Sequence, residues 1–281
     1  MRILLTGANG FVGKNYLDST INDKITTISR SNCYSKKVYK HIKGDLTDTD
    51  FLKKVAKDKY DVIIHAAWAG LPERTLELNY KNLVMYKNIV NIFSETPETN
   101  HIFLGSCLEY GELAGIASED TTGFDMEDFG QKKTDLLNYI KISGIKFNWI
   151  RMFYTYGKHQ HSNALVNSIQ KNIRSNQKIK IQNFNKSHDF IYIKDLISLI
   201  DKVSTYNCNN SVFNCGSGYL TSVGAIANHI LEIMGKTSIF QTQNELGISA
   251  DISKATKILS WAPRYSLIEG LSETVSRGYI D

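Results

Sequence analysis

The chain has 281 residues, 42% hydrophobic and 22% charged, with only 3 prolines, a composition that can fill a core and excludes a disordered chain. Its length predicts two lobes, because a compact domain takes roughly 100–200 residues. The formal charge of +5, from 33 basic and 28 acidic residues, is spread along the sequence, which disfavours nucleic acid as a partner and suits a small anionic ligand.

Nowhere do about 18 apolar residues run together, and no charged segment with an apolar stretch behind it opens the sequence. Neither a membrane span nor an export signal is therefore expected. Cys33, Cys107, Cys208 and Cys215 have neither C-x-x-C spacing nor the density of a disulfide scaffold, which predicts reduced thiols in a cytoplasmic protein.

Residues 1–6 form a short apolar, β-rich run that breaks at Gly7-Ala8-Asn9-Gly10-Phe11-Val12-Gly13, ahead of a helical pattern through Leu17. Strand, glycine turn and helix follow in that order. An anion approaches main-chain N–H groups at a helix N-terminus, where unpaired donors and the dipole favour it and a Cβ would block it. Gly7 and Gly10 are read as making room for a pyrophosphate, Gly13 as letting the helix pack closely on the strand, and Asn9, Phe11 and Val12 as further cofactor contacts. A purely structural turn would need the glycines only for positive φ, but the position directly after the first strand favours a dinucleotide.

A second strand is expected over residues 24–29. Its end is where NAD enzymes commonly carry an acidic residue for the ribose 2′-hydroxyl. Here Ser29 and Arg30 stand instead, a hydroxyl and a planar cation that can grip a 2′-phosphate. NADP is expected, with NAD second; in the bland alternative Arg30 is a solvated loop charge. A third strand, 61–65, ends in His65, which is read as a packed or capping residue. Helices are expected over 79–93 and 129–142, where Leu83, Tyr86, Ile89, Val90 and Phe93 recur at helical spacing. His159 and His161 could face one side of a strand as metal ligands, but no third ligand is evident, so a polar loop without metal is preferred.

In this order and spacing, residues 6–13, Gly44-Asp45-Leu46, His65-Ala66-Ala67, Asn79, Gly105-Ser106-Cys107-Leu108-Glu109-Tyr110-Gly111, Arg151 through Tyr156-Gly157, Asp189-Phe190-Ile191-Tyr192-Ile193 and Asn214-Cys215-Gly216-Ser217-Gly218 carry a resemblance. The sequence resembles the extended short-chain dehydrogenase/reductase family, the group of nucleotide-sugar epimerases, dehydratases and 4-ketoreductases, over essentially its whole length. That resemblance implies an α/β fold: a Rossmann-type doubly wound parallel sheet with a smaller C-terminal substrate-binding lobe. The dinucleotide-binding domain is expected over 1–157 and 189–215, and the nucleotide-sugar lobe over 158–188 and 216–281.

By the same resemblance Asp45 and Leu46 flank the adenine, Ala66 and Ala67 lie along the cofactor, and Lys133 and Phe153 also meet it. Ser106 matches the hydroxyl that bonds the reacting oxygen, and Lys133 matches the lysine that lowers the pKa of a tyrosine four residues earlier. Residues four apart on a helix face the same way. The tyrosine position holds Phe129, which has no proton to give, and loss of a positioned acid or base typically costs about 10²–10⁴ in rate. Three explanations stand side by side: an engineered Tyr→Phe variant that traps substrate, a substitute donor such as Tyr110, Tyr154 or an ordered water, or a chain that binds without catalysing.

The family's 4,6-dehydratases place an acidic pair directly after the Ser or Thr, where this chain has Cys107 and Leu108. Elimination is disfavoured, which leaves 4-keto reduction, 4-oxidation and 4-epimerisation; the likeness to deoxyhexose synthases tilts the expectation to 4-keto reduction of a nucleotide-linked 4-keto-6-deoxyhexose in surface-polysaccharide biosynthesis. Ser106, Cys107, Tyr110, Asn163 and Arg174 are the candidate substrate contacts. His188 stands where many relatives carry an arginine, as a weaker, pH-dependent partner of the sugar diphosphate. The resemblance also implies a homodimer through helices 79–93 and 129–142; the alternative is that their apolar stripes only cover the sheet.

Overall fold

Short apolar runs make the strands of this protein, and helices cover them. The computed structural model describes residues 1–20, 24–35, 38–179, 181, 183–206, 210–243 and 245–276; Cys208 and residues 277–281 of the expected second lobe lie outside them. In chain order come β1 (Ile3–Thr6), α1 (Phe11–Ser19), β2 (Ile25–Ser29), β3 (Lys40–Lys43), α2 (Thr49–Ala56), β4 (Val62–His65), α3 (Leu76–Phe93), β5 (Asn100–Ser106), β6 (Gly115–Ala117), α4 (Asp128–Lys141) and β7 (Lys146–Met152). Then follow β8 (Tyr154–Tyr156), α5 (Leu165–Arg174), β9 (Ser187–Tyr192), α6 (Ile193–Thr205), β10 (Ser211–Cys215), β11 (Leu220–Ser222), α7 (Val223–Ile233), β12 (Ile248–Ala250), α8 (Ser253–Leu259) and α9 (Leu267–Ser276).

These elements fall into two compact units: Met1–Glu112, Thr122–Arg151 and Leu199–Phe213 in the first, and Leu113–Thr121, Met152–Ser198 and Asn214–Asp281 in the second. The chain thus changes unit at other places than the 157, 189 and 215 expected. Leu113–Thr121 belongs to the second unit because it carries β6, which pairs in parallel with the distant β12. The chain also breaks near residue 153: β7 stops at Met152, and after Phe153 it resumes as β8, which pairs with β9.

The first unit holds a seven-stranded sheet in the order β10-β7-β5-β4-β1-β2-β3. β1 pairs in parallel with β2 on one side and β4 on the other, so Ile3 lies opposite both Ile25 and Val62. All four residues of β1, and all four of β4, are buried. Strands covered on both faces read as continuous apolar runs rather than alternating ones. This is the expected Rossmann-type arrangement, and its strand order reverses beside β1, where open α/β sheets bind ligands at the carboxyl ends of the strands. β3, with Lys40 and Lys43 exposed, is a polar edge strand that no hydrophobic pattern announces, and edge lysines discourage pairing with another sheet.

On one face of the sheet, Leu83, Tyr86, Ile89, Val90 and Phe93 of α3 and Leu136, Leu137 and Ile140 of α4 pack against Leu4, Ile63, Phe103 and Trp149. Full burial of a side chain of this kind stabilises by about 1.5–3 kcal/mol. The stripe offered as a dimer face is therefore spent on the sheet, and the exposed apolar residues of α3 are Leu76, Tyr80 and Val84. His65 lies in the same layer, its ring stacked on Phe103 and its Nε2 3.0 Å from His101 Nδ1.

In the second unit β9 lies between β11, antiparallel, and β8, parallel. The buried Asp189 carboxylate organises it, accepting from Ser217 N at 2.6 Å, Ser217 Oγ at 2.7 Å, Gly218 N at 2.9 Å and Ala250 N at 3.0 Å. Burial pushes that carboxyl above its ordinary range while these donors pull it back. Among the described residues no helix is long and apolar enough to cross a membrane, and no group of three or more His, Cys, Asp or Glu could hold a metal ion.

Candidate active site

The chain leaves β1 through Gly7, whose φ is +70°. A Cβ on Gly7 would lie 2.6 Å from the carbonyl carbon and oxygen of Ala66, at the end of β4. Conformation and contact both require glycine there, and the requirement comes from the neighbouring strand as much as from any ligand. At Gly13 a Cβ would stand 2.2 Å from Gly7 O, so α1 lies close on the loop. Gly10 differs: a Cβ would meet only Gly7 O, at 3.2 Å. Gly10 is the N-cap of α1, no side chain caps that helix, and its first turn has no acidic residue. Such an end offers main-chain donors and partial positive charge to an anion.

Asn9 ties this loop to the chain beyond β2. Its amide donates to Ser29 Oγ at 3.3 Å, Ser31 Oγ at 3.0 Å and Asn32 O at 2.8 Å, and its Oδ1 accepts from Tyr34 N at 2.8 Å.

Gly7, Asn9 and Gly10 then share a cavity of about 480 Å³ with Ser29 and Arg30 from the end of β2, Asp45 and Leu46 beyond β3, and Ala66 and Ala67 beyond β4. Ligand pockets typically measure about 300–1,000 Å³. The residues fit a dinucleotide: a bare helix end for the pyrophosphate and small residues where its groove must stay open. Phe11, Val12 and Gly13 belong to α1 and do not line it. Thr47 N and Oγ1 each donate to Asp45 Oδ1 at 2.9 Å. Those bonds, the main-chain one first, and the charge of Arg30 hold the Asp45 carboxyl below its usual range. Sequence reasoning missed Ser31, Trp68, Leu78, Lys81, Asn82 and Met85, which also line the cavity. Asn82 had a readable signal, a polar residue on the apolar side of α3; it is buried, accepting from Ala69 N and donating to Ala69 O, both at 2.9 Å.

Ser106 closes β5 and caps a short 3-10 turn, Cys107–Tyr110. Its Oγ accepts from Leu108 N at 3.2 Å and its N–H donates to Glu109 Oε1 at 2.7 Å. Cys107 is buried; Tyr110 is fully buried, its hydroxyl accepting from Arg151 Nη1 at 2.9 Å. Phe129 and Lys133 lie one turn apart on α4, both buried. Lys133 Nζ donates to Leu104 O at 2.8 Å, two residues before Ser106, and stands 3.5 Å from the centroid of the Trp68 ring. Burial brings its pKa down to about 7, with the charge of Glu109 opposing the shift. The Phe129 ring meets Trp68 edge-on at 5.7 Å, and Arg74 lies 5.4 Å from its centroid.

In the second unit Phe153 is buried and its N–H donates to Cys215 O at 2.9 Å. Helix α5 begins at Leu165, so the exposed Asn163 precedes it, its N–H donating to His161 Nδ1 at 3.0 Å. Arg174, in the last turn of α5, donates to Val275 O at 3.4 Å. His188 stacks on Tyr154 at 3.8 Å, and burial, with Lys186 assisting, brings its pKa down to about 4. At neutral pH it is uncharged, so it cannot stand in for an arginine as a cation.

The family described as the NAD dependent epimerase/dehydratase family matches residues 3–216. The chain belongs to that family of enzymes. It is similar, at 25% identity over 98% of this chain and 97% of the relative, to an uncharacterized UDP-glucose epimerase of Bacillus subtilis. It is 22% identical to a dTDP-4-dehydro-6-deoxyglucose reductase of Escherichia coli, over 97% of this chain and 96% of that one. Its fold matches a UDP-glucuronic acid 4-epimerase from Bacillus cereus in complex with NAD, with a TM-score of 0.85 and 23% identity over 98% of each chain.

Proposed function

We propose that this family member is an NAD(P)-dependent enzyme of nucleotide-linked sugars, whose reaction is 4-keto reduction of a nucleotide-linked 4-keto-6-deoxyhexose, with NADP preferred over NAD. The observation that carries the reading is the continuity from cavity to chemistry. Trp68 lines the cavity and lies under the Lys133 ammonium, and Lys133 in turn is bonded to Leu104, on the strand that ends in Ser106. A bound nicotinamide would supply the hydride, and with phenylalanine at 129 the proton that completes the alcohol would come from water. The main-chain donors at the start of α1 hold the pyrophosphate, Ser29 and Arg30 hold the 2′-phosphate, and the Ser106 hydroxyl orients the oxygen on the reacting carbon. Cys107 and Leu108 offer no acid and base for elimination, which supports reduction over dehydration.

The wider reading assigns dinucleotide binding to the first unit and the nucleotide-sugar contacts to the second, with Asn163 and Arg174 among them. It puts the protein in the cytoplasm, serving surface-polysaccharide biosynthesis, as a homodimer whose contact on α3 centres on Tyr80 and Val84; sedimentation of a Tyr80→Glu variant checks the dimer. Phe129 supports a second reading, a cofactor-binding protein without turnover, because no phenol stands four residues before Lys133. Phe129→Tyr separates the two. On a panel of 4-keto nucleotide sugars with NADPH it raises turnover about 10²–10⁴-fold, with product analysis distinguishing reduction from 4-epimerisation and 4-oxidation. A tyrosine variant as slow as the parent overturns the reductase, and tight NADPH binding without consumption establishes the binding protein.

A further inference from the structure

On the buried side of Ser106 lies a charge pair that the functional reading leaves unused. Glu109 is 2% exposed and Arg151 9%. Glu109 Oε1 accepts from Ser106 N at 2.7 Å and Trp149 Nε1 at 3.0 Å, and Oε2 accepts from Arg151 Nε at 2.8 Å and Trp149 Nε1 at 3.1 Å. Every one of these partners is a donor, so the carboxylate form is the one the surroundings satisfy. The guanidinium also lies 4.6 Å from the centroid of the Tyr110 ring. The enclosure is tight: a Cβ on Gly105 would fall 2.1 Å from Trp149 Nε1 and 2.4 Å from Glu109 Oε1. As a source of stability such a pair is poor, since desolvation of both charges offsets most of their attraction.

What the pair does touch is Ser106, through its backbone, and Lys133, through its field. Around the Lys133 ammonium are the Trp68 and Phe129 rings and Leu104 O. The charges nearby are Glu109, with Arg151 behind it, and Arg74 against the Phe129 ring. We propose that Glu109, braced by Arg151, is a positioning residue for Ser106 and Lys133: it fixes the backbone that carries the serine hydroxyl and sustains the positive charge of the lysine. This rests on the reading of Ser106 and Lys133 as the reacting pair.

Both members of the pair act on Lys133 through one charge, that of the Glu109 carboxylate. Glu109→Gln removes the charge that favours the ammonium, so Lys133 loses its proton at lower pH. Arg151→Gln removes the cation that holds the buried Glu109 carboxyl ionised against desolvation, so Glu109 takes up a proton and Lys133 again loses its own at lower pH. The experiment follows the Lys133 ¹³Cε resonance of lysine-labelled full-length protein against pH, assigned by Lys133→Arg, with folding checked by circular dichroism. The expected result is a midpoint about tenfold lower in proton affinity for Glu109→Gln, lower also for Arg151→Gln, and unchanged for Arg151→Lys. Midpoints that stay put, or that rise in either charge-removing variant, overturn the proposal; so does failure of all three variants to fold, which would make the pair purely structural. Neither cofactor nor sugar enters this measurement, so its failure is distinct from failure of the reductase reading, which is decided by Phe129→Tyr turnover.

Discussion

Gly7 and Gly10 belong to one motif, yet they answer to different neighbours. Gly7→Ala forces a Cβ into the Ala66 carbonyl at a φ of +70°, a strain that destabilises by more than about 1 kcal/mol. Gly10 has an extended backbone, φ −80° and ψ 176°, open to any residue, and it faces the cavity. Gly10→Ala is therefore expected to melt near the parent temperature while binding NADPH at least about tenfold more weakly, as titration calorimetry will read; loss of a close main-chain approach to phosphate is what the added methyl causes. Lys133 links stability to pH. Its folded pKa, about 7, lies below the ordinary lysine value near 10.4, so the unfolded chain binds the extra proton between those limits and stability rises with pH across them. Lys133→Met removes that penalty: it is expected to melt above the parent at pH 7, to lose the advantage by pH 10, and to lower turnover at both.

Among the elements, the loop after β2 is the one whose shape depends on a single side chain. Asn9 makes four hydrogen bonds to residues 29–34, and these hold Ser29 and Arg30 on the cavity wall. With Asn9→Ala the loop loses its anchor, and the expected outcome is a fall in the ratio of NADPH to NADH affinity, measured by calorimetry with both coenzymes, rather than a loss of both alike. How far such elements could be read from the sequence varied with their surroundings. β1, β2 and β4 are apolar because both sheet faces are covered, and their ends were readable to within a residue or two. β3 was invisible, since an edge strand needs no apolar face, and the break at Phe153 was hidden because β7 and β8 follow one another with no glycine or proline between them and differ only in the strands they pair with. The α3 stripe was read correctly as apolar; which surface it covers could not be known from periodicity alone.

Over the whole molecule, acid stability turns on imidazoles in the core. Burial brings His101 down to about 3 and His65 well below its ordinary value, with His101 adding to the latter. Both are neutral when folded, as is His188 down to about pH 4, so below about pH 6.5 the unfolded chain binds up to three more protons on these histidines. Stability then falls by up to about 1.4 kcal/mol per pH unit for each histidine. Urea unfolding at pH 7 and pH 5 is expected to show that loss, and His101→Leu to flatten it.

Local pattern made legible the strand-turn-helix opening and the placing of Phe129 and Lys133 one helical turn apart, because glycine freedom and the four-residue helical repeat are local properties; the α/β class and the roles of Ser106, Phe129 and Lys133 were expected from the family resemblance. Only the tertiary structure decided that Ala66 is what Gly7 must avoid, that Trp68 links the cavity to Lys133, and that Glu109 and Arg151 meet under Ser106. Those are contacts between strands and loops far apart in the chain, and no local pattern encodes a distance across a sheet.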